Sequence, residues 1–189
     1  MTFNQRLRLC SARLVLSTLD GSCPIPYHKW KEWLIDPVVN MYLMSGLQAP
    51  KSEDLWDYSQ IGLFLTISIP HERWIGNIRL HEINKEQRTA ELGIMIGDKA
   101  EWGKGYATEA CTILLNHAFQ KMNLNRVGIG VVELNKAGIA LWTKLGFKEE
   151  GRLREAFWVD GLPRDVIRMG LLQREWFDAH RGSGTSKTG

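Results

Sequence analysis

The stretch that decides the fold is Glu101-Trp102-Gly103-Lys104-Gly105-Tyr106-Ala107-Thr108-Glu109-Ala110. It follows the apolar run at 91–97, which is typical of a strand, and leads into apolar residues that recur at helical spacing as far as Met122. The predicted order is strand, glycine loop, helix. Glycines on both sides of Lys104 let the backbone approach a ligand closely, and the first N–H groups of a helix lack partners within the helix. This arrangement predicts a site for phosphate oxygens.

Spacing distinguishes between the known kinds of phosphate-binding loop. A P-loop has four residues between its first glycine and Gly-Lys, whereas Gly97 and Gly103 enclose five residues. Gly105 also follows Lys104, where a P-loop has Ser or Thr. A dinucleotide-binding loop would have Gly or Ala in place of Thr108 and would lie near the first strand of a parallel unit. The spacing therefore disfavours both of these nucleotide sites.

A third kind of loop fits better. The pyrophosphate loop of coenzyme A-dependent acetyltransferases, (Gln/Arg)-x-x-Gly-x-(Gly/Ala), is matched by Trp102–Ala107 at its glycine and alanine positions. From about Arg13 to Trp176 the chain resembles the GNAT N-acetyltransferases, particularly the branch that includes the bacterial ribosomal-protein N-terminal acetyltransferases. In that branch Trp is usual at the first position of the loop. The spaced pieces that carry the resemblance are Arg88–Gly93, Trp102–Ala110, Leu124–Val127, Asn135, Lys144–Phe147, Glu149–Arg154 and Asp160–Asp165.

The resemblance implies an α+β fold in one domain at 13–180. Its central twisted sheet would be mostly antiparallel, with about seven strands, flanking helices, and strands that splay apart at the cofactor site. Residues 1–12 are expected to form a charged arm, and the polar residues 181–189 a disordered tail. The apolar pattern predicts strands near 13–19, 63–69, 74–80, 91–97, 126–132, 147–160 and 164–172, and helices near 30–34, 38–44, 53–61, 105–121 and 135–146.

Composition narrows the class of protein. The chain has 189 residues, of which 44% are hydrophobic, and 24 Lys and Arg against 21 Asp and Glu leave a net charge of +3. That charge falls short of the basic stripe expected of a nucleic-acid binder. Cys10, Cys23 and Cys111 show no metal-ligand spacing, and no apolar run reaches the roughly 18 residues of a membrane span. We expect a reduced cytoplasmic protein, monomeric or homodimeric, without metal, membrane or nucleic-acid partners.

The resemblance also implies a reaction, in which acetyl-CoA donates its acetyl group directly to a primary amine. Protein N-termini, polyamines, aminosugars on nucleotide carriers and aminoglycosides are all possible acceptors. The backbone near Met95 and Ile96 would bond the pantetheine arm and polarise the thioester carbonyl, and the loop would bind pyrophosphate. The residues implied to bind the cofactor are Met95, Ile96, Trp102, Gly103, Lys104, Gly105, Tyr106, Ala107, Asn135 and Trp142.

Three of these residues have a second interpretation. The side chain of Lys104 either adds a charge at the pyrophosphate or is simply solvated. Asn135 either bonds the cofactor arm or caps a helix, and the two roles are compatible. Trp142 occupies the position where many GNAT enzymes have a Tyr that protonates the leaving thiolate, and an indole cannot do so. It is expected to pack on the pantetheine arm or to fill the core, and Tyr106 is another candidate hydroxyl.

Glu91 is the catalytic candidate that the resemblance implies, as the base that deprotonates the amine. An α-amine loses its proton at pH 7 for about 1–1.4 kcal/mol, whereas a lysine-like amine costs about 4.6 kcal/mol. Only the second kind of acceptor needs a strong base. In the competing interpretation Glu91 faces solvent or pairs with Arg79 or Arg88. The ribosomal-protein enzymes also have a Ser where this chain has Gly138, a departure that concerns the acceptor rather than acetyl transfer.

Two other functions remain compatible with the residues. One is a catalytically silent acetyl-CoA-binding sensor or interaction module, since the usual Tyr is missing; the other is a nucleotide-binding regulator, which the loop spacing disfavours. The aromatic residues of the early helical segments could form one wall of the acceptor site or make ordinary core contacts. These residues are Tyr27, Trp30, Trp33, Trp56 and Tyr58.

Overall fold

The computed structural model describes residues 7–18, 27–43, 62–70 and 73–181. Within these residues the strands are β1 Arg8–Cys10, β2 Val15–Thr18, β3 Leu63–Ile69, β4 Arg73–Asn84, β5 Thr89–Ile96, β6 Arg126–Val132, β7 Lys148–Val159 and β8 Leu162–Leu172. The helices are α1 Tyr27–Ile35, α2 Pro37–Asn40, α3 Tyr106–Gln120, α4 Lys136–Lys144 and α5 Gln173–His180. A short 3-10 helix, Lys99–Glu101, precedes the glycine loop.

The strands form one sheet in the order β1-β2-β3-β4-β5-β6-β8-β7. Every neighbouring pair is antiparallel except β5 and β6, which are parallel. The predicted mixed fold with a mostly antiparallel sheet is therefore confirmed. The described residues contain eight strands rather than about seven, because residues 8–10 of the expected arm pair with β2, with Leu9 opposite Leu16.

Several element boundaries differ from the prediction. Strand β4 continues to Asn84 because its polar end still pairs with β5, and β8 begins at Leu162 inside the expected turn. Helix α5, absent from the prediction, buries Trp176 against the core. The helix expected at 53–61 with Ser52 as its cap, and residues 182–189 of the expected tail, lie outside the described residues.

One face of the sheet carries the main hydrophobic core. Helix α3 contributes apolar residues at helical spacing, and all of them are buried: Ala110, Cys111, Leu114, Leu115, Ala118 and Phe119. They pack in one cluster with strand residues such as Ile78, Leu92 and Ile129 and with Trp176 of α5. Burial of this area is the main favourable term in folding, and it fixes α3 and the loop before it against the sheet.

The opposite face carries a smaller aromatic core under α1. Trp30 and Trp33 of this helix pack with Phe64, Trp74 and Met95 of the sheet, and the ring centroids of Trp33 and Trp74 are 4.7 Å apart. The interpretation as core contacts is thus confirmed for both tryptophans of α1. Trp56, Tyr58 and the side chain of Tyr27 lie outside the described residues.

Strands β5 and β6 part in the middle of the sheet. They pair only where Thr89–Glu91 lie beside Arg126–Gly128. Beyond Glu91, β5 continues along β4 to Ile96, whereas β6 continues along β8 to Val132. A wedge therefore opens from Glu91 toward the end of β5, and this is the splay that the resemblance predicted.

Candidate active site

The glycine loop follows β5 and begins α3. Gly103 has φ 75° and Gly105 has φ 85°, a region that side chains with a Cβ rarely adopt. Gly105 is the N-cap residue of α3, and no side chain in the described part of the chain caps this helix end. The first backbone N–H groups of α3 therefore remain available for an anion, with the helix dipole adding to the attraction.

Trp102 connects this loop to the end of β5. Its indole Nε1 donates a hydrogen bond of 2.7 Å to the carbonyl oxygen of Ile96. The N–H of Gly97 donates to Ile75 of β4, and groups of successive strand residues point to alternate sides. The N–H of Ile96 therefore faces the wedge, whereas that of Met95 faces β4. Contacts of the two residues with a cofactor stay predictions.

Lys104 is held by a carboxylate. Its Nζ lies 2.9 Å from Oε2 of Glu101, whose side chain is only 4% exposed and also pairs with Arg73. These pairs, with Lys104 as the largest cause, keep the pKa of Glu101 below its ordinary value, so the carboxyl stays ionised. The described structure therefore uses the charge of Lys104 to balance Glu101, and a contact of Lys104 with a phosphate stays a prediction.

Asn135 caps helix α4. Its Oδ1 accepts a hydrogen bond of 2.8 Å from the N–H of Gly138, which confirms the capping interpretation. A Cβ at position 138 would lie only 2.7 Å from Nδ2 of Asn135. The glycine at this position therefore makes room for the cap in its present conformation. Bonding of Asn135 to a cofactor arm stays a prediction.

Trp142 lies in the main core. It is 6% exposed and meets Phe147 edge to face, with the ring centroids 5.3 Å apart. This position agrees with the core-filling interpretation, while contact with a pantetheine arm stays a prediction. Tyr106, the alternative hydroxyl, has its ring beneath the guanidinium of Arg13 at 5.0 Å.

Glu91 lies at the vertex of the wedge, beside Gly128 in the register of β5 and β6. Its side chain is 14% exposed, and its Oε1 accepts a hydrogen bond of 2.7 Å from Nη2 of Arg168. The pairing partner is thus neither Arg79 nor Arg88. Burial raises the pKa of Glu91 above its ordinary value, and the positive charge of Arg168 opposes this shift.

Two strand glycines provide space for carboxylates on this polar face. A Cβ at Gly128 would lie 2.3 Å from Oε1 of Glu91, and one at Gly170 would lie 2.3 Å from Oε1 of Glu150. Arg126 pairs with Glu150 beside them. Sequence reasoning missed this network of charges, although glycine inside a strand is a known sign of close approach by another group.

His81 is a second residue that sequence reasoning missed. It lies opposite Glu91 in the register of β4 and β5, so both side chains occupy the same face of the sheet. Burial, with a smaller contribution from Arg79, lowers the pKa of His81 below its ordinary value. Its imidazole is therefore neutral near pH 7 and is able to accept a proton.

The same described residues contain neither a candidate metal site nor a candidate membrane-spanning helix. Among them, no group of three or more His, Cys, Asp or Glu side chains could hold a metal ion. None of the helices in these parts of the chain has the length and apolar character needed to cross a membrane. Cys111 is buried and Cys10 is exposed, and Cys23 lies outside the described ranges.

The amino-acid sequence is similar to the sequences of known N-acetyltransferases. The chain is 40% identical over 101 residues to a Bacillus subtilis (strain 168) protein named "Putative ribosomal N-acetyltransferase YdaF", over 53% of this chain and 55% of that protein. It is 35% identical over 109 residues to spermidine N(1)-acetyltransferase of Escherichia coli K12, over 58% of each chain. The matched stretch thus spans a little over half the length of these relatives.

A solved structure extends the likeness to most of the fold. It is spermidine N-acetyltransferase from Vibrio cholerae in complex with CoA and spermine, which superposes with a TM-score of 0.79 at 25% identity. The match covers 88% of this chain and 99% of that one. A family model described as an acetyltransferase (GNAT) domain matches residues 25–148. The chain therefore belongs to the GNAT acetyltransferase family.

Proposed function

We propose that this chain transfers the acetyl group of acetyl-CoA to a primary amine and that Glu91 accepts a proton from that amine. The observation that carries the proposal is the place of Glu91, which is a largely buried carboxylate at the vertex where β5 and β6 part. Beyond Glu91, β5 runs unpaired with β6 toward the glycine loop and the anion-binding start of α3, so the proposed proton acceptor and the proposed cofactor loop follow one another along the same strand.

The described residues fit the proposed cofactor. The positive φ angles of Gly103 and Gly105 and the uncapped start of α3 form a backbone cradle for pyrophosphate oxygens. The N–H of Ile96 faces the wedge, where it would bond the pantetheine arm. When bound, acetyl-CoA supplies an acetyl group activated as a thioester. The protein's part is to orient the amine and to remove its proton.

Arg168 orients the proposed base and limits its strength. It binds Oε1 of Glu91, so that Oε2 is the atom that would receive the proton. Burial makes Glu91 more basic than an exposed glutamate, while Arg168 works against this effect. Such a moderate base suits an amine that loses its proton cheaply, such as an α-amine at about 1–1.4 kcal/mol near pH 7. The departing thiolate needs little help, because an ordinary thiol has a pKa of about 8.5.

The acceptor is tested with a panel of amines. Purified chain would be mixed with acetyl-CoA and with a peptide bearing a free α-amine, spermidine, an aminosugar or an aminoglycoside, and release of free CoA would be measured. We expect release with at least one amine, and an α-amine is the first choice. Binding of acetyl-CoA without release for any amine in the panel would favour the silent binding module instead.

The role of Glu91 is tested in the same assay. Glu91→Gln is expected to lower kcat by roughly 10²-fold with little change in the Kd of acetyl-CoA, because only proton acceptance is lost. Glu86→Gln is the matched control, since Glu86 lies exposed in the turn between β4 and β5. Wild-type turnover of Glu91→Gln together with a loss in His81→Gln would transfer the base role to His81.

A further inference from the structure

Arg13 connects the turn between β1 and β2 to the glycine loop. Its Nη1 donates a hydrogen bond of 3.1 Å to the carbonyl oxygen of Lys104, and its Nε donates one of 2.8 Å to Oε2 of Glu109. Nη2 also binds Glu109, and the guanidinium lies over the ring of Tyr106 at 5.0 Å. One side chain therefore contacts the loop and the first turn of α3 at once.

Glu109 is an unfavourable neighbour for an anion-binding helix end. It is the acidic residue in the first turn of α3, the turn whose N–H groups would receive pyrophosphate. A bare carboxylate so close would repel a phosphate, since like charges a few ångströms apart interact strongly away from bulk water. In the structure Ser11 donates to its Oε1 at 2.5 Å, and Arg13 binds its Oε2.

The main chain of Lys104 is fixed by the same arginine. The Nζ of Lys104 is bound to Glu101, and its carbonyl oxygen is bound to Arg13, so this residue is held at both ends. A carbonyl oxygen turned toward the ligand would oppose a phosphate, whereas the hydrogen bond from Arg13 favours the orientation that the Lys104 carbonyl has here. The adjoining glycines lack a side chain that would hold the loop by itself.

We infer that Arg13 is a positioning residue for the coenzyme A site, which neutralises Glu109 and fixes the Lys104 carbonyl so that the loop N–H groups can bind pyrophosphate. The inference rests on the proposed use of acetyl-CoA. Stabilisation of the fold does not account for the arrangement, because the side chain of Arg13 is 51% exposed and exposed ion pairs contribute little to stability.

Calorimetric titration with CoA tests the inference without an amine. Arg13→Gln should raise the Kd for CoA by roughly tenfold at low salt, because Glu109 is then unpaired, and the loss should shrink at high salt. Glu109→Gln alone should bind at least as tightly as the wild type. The double variant Arg13→Gln/Glu109→Gln should recover most of the affinity, since no unpaired carboxylate remains.

The controls separate positioning from direct contact and from unfolding. Arg152→Gln removes another exposed arginine paired with a glutamate and should leave the Kd unchanged. Arg13→Lys keeps the positive charge, and its Kd for CoA should fall between those of the wild type and Arg13→Gln. This variant still tests the inference if Arg13→Gln fails to fold. Unchanged affinity in Arg13→Gln would overturn the inference. A double variant as weak as Arg13→Gln would also overturn it, in favour of direct contact with phosphate. Failure of the wild type to bind CoA would instead contradict the proposed function.

Discussion

The two faces of the sheet differ most where β5 and β6 part. On one face, Leu92 and Ile129 pack under α3 in a continuous apolar core. On the other face, Glu91 and Arg168 form a half-buried ion pair, and Gly128 lies beneath the carboxylate. Side chains of a strand alternate between faces, so adjacent residues of β5 belong to these two environments.

The difference assigns a separate task to each face. The apolar face lowers the free energy of the fold and holds α3, and therefore the glycine loop, in place. Around Glu91 the other face contributes little through hydrophobic burial, since its aromatic core lies under α1. In the proposed reaction this region of the face presents the carboxylate of Glu91 to the amine. We therefore expect changes in the apolar core under α3 to alter stability first, and changes around Glu91 on the other face to alter turnover while the fold survives.

The largest expected effect is on stability. Trp142→Ala removes a buried indole beside Phe147 and should lower the free energy of unfolding by about 3–5 kcal/mol, as measured by denaturant titration. Trp158→Ala is the matched control, because Trp158 is 66% exposed and its loss should change stability by less than about 0.5 kcal/mol. Equal stability of the two variants would contradict the claim that the buried indole of Trp142 stabilises the apolar core. Trp142→Tyr should keep most of the packing, and turnover at least equal to that of the wild type would support a core role for the indole.

The second largest effect is on cofactor binding at the glycine loop, where α3 begins. Gly105→Val places a branched side chain at φ 85° and should raise the Kd of acetyl-CoA at least tenfold, or about 1.4 kcal/mol. Calorimetric titration measures the change. Gly151→Val serves as the control, since a Cβ there meets no described residue within 4 Å and Gly151 does not have a positive φ. If the Gly105→Val variant folds and binds acetyl-CoA with unaltered affinity, the assignment of the glycine loop to the coenzyme A site is wrong.

A third change isolates the polar face. Gly128→Ala puts a Cβ where Oε1 of Glu91 now lies, and the carboxylate must move because it is the flexible partner. Turnover should fall roughly tenfold through misplacement of the base, with little loss of melting temperature. Gly151→Ala, at an open position, should change neither quantity. A large loss of stability with normal turnover would contradict the claim that the surroundings of Glu91 serve turnover rather than stability.

The smallest effect is a shift in pH dependence. Glu91 must be ionised to accept a proton, so turnover should fall as the pH drops through its raised pKa. Arg168 stabilises the ionised form, and Arg168→Gln should therefore raise that pKa further and move the acid limb of the kcat profile to higher pH. Arg152→Gln should leave the limb where it is. An acid limb that stays fixed, or moves to lower pH, would show that the group whose titration sets this limb is not Glu91.

Much of the fold was readable from particular residues. The apolar spacing of α3 predicted its core face, since its buried residues recur at helical spacing. β6 was predicted with the boundaries observed, because Val127, Ile129 and Val131 give its sequence a regular apolar pattern and all three lie in the core. Asn135 was recognised as a cap from its residue type and its place before a helix. Helix α5 and β1 were not predicted, since α5 is mostly polar and β1 has only three residues.

By itself the sequence determined the order strand, glycine loop, helix, and the resemblance that led to the GNAT family, because these depend on spacing within a short segment. Only the tertiary structure decided which charged groups meet. The partner of Glu91 is 77 residues away along the chain, and that of Glu109 is 96 residues away. Contacts between residues so far apart depend on strand order and register, and the identity of a single charged residue predicts neither of them.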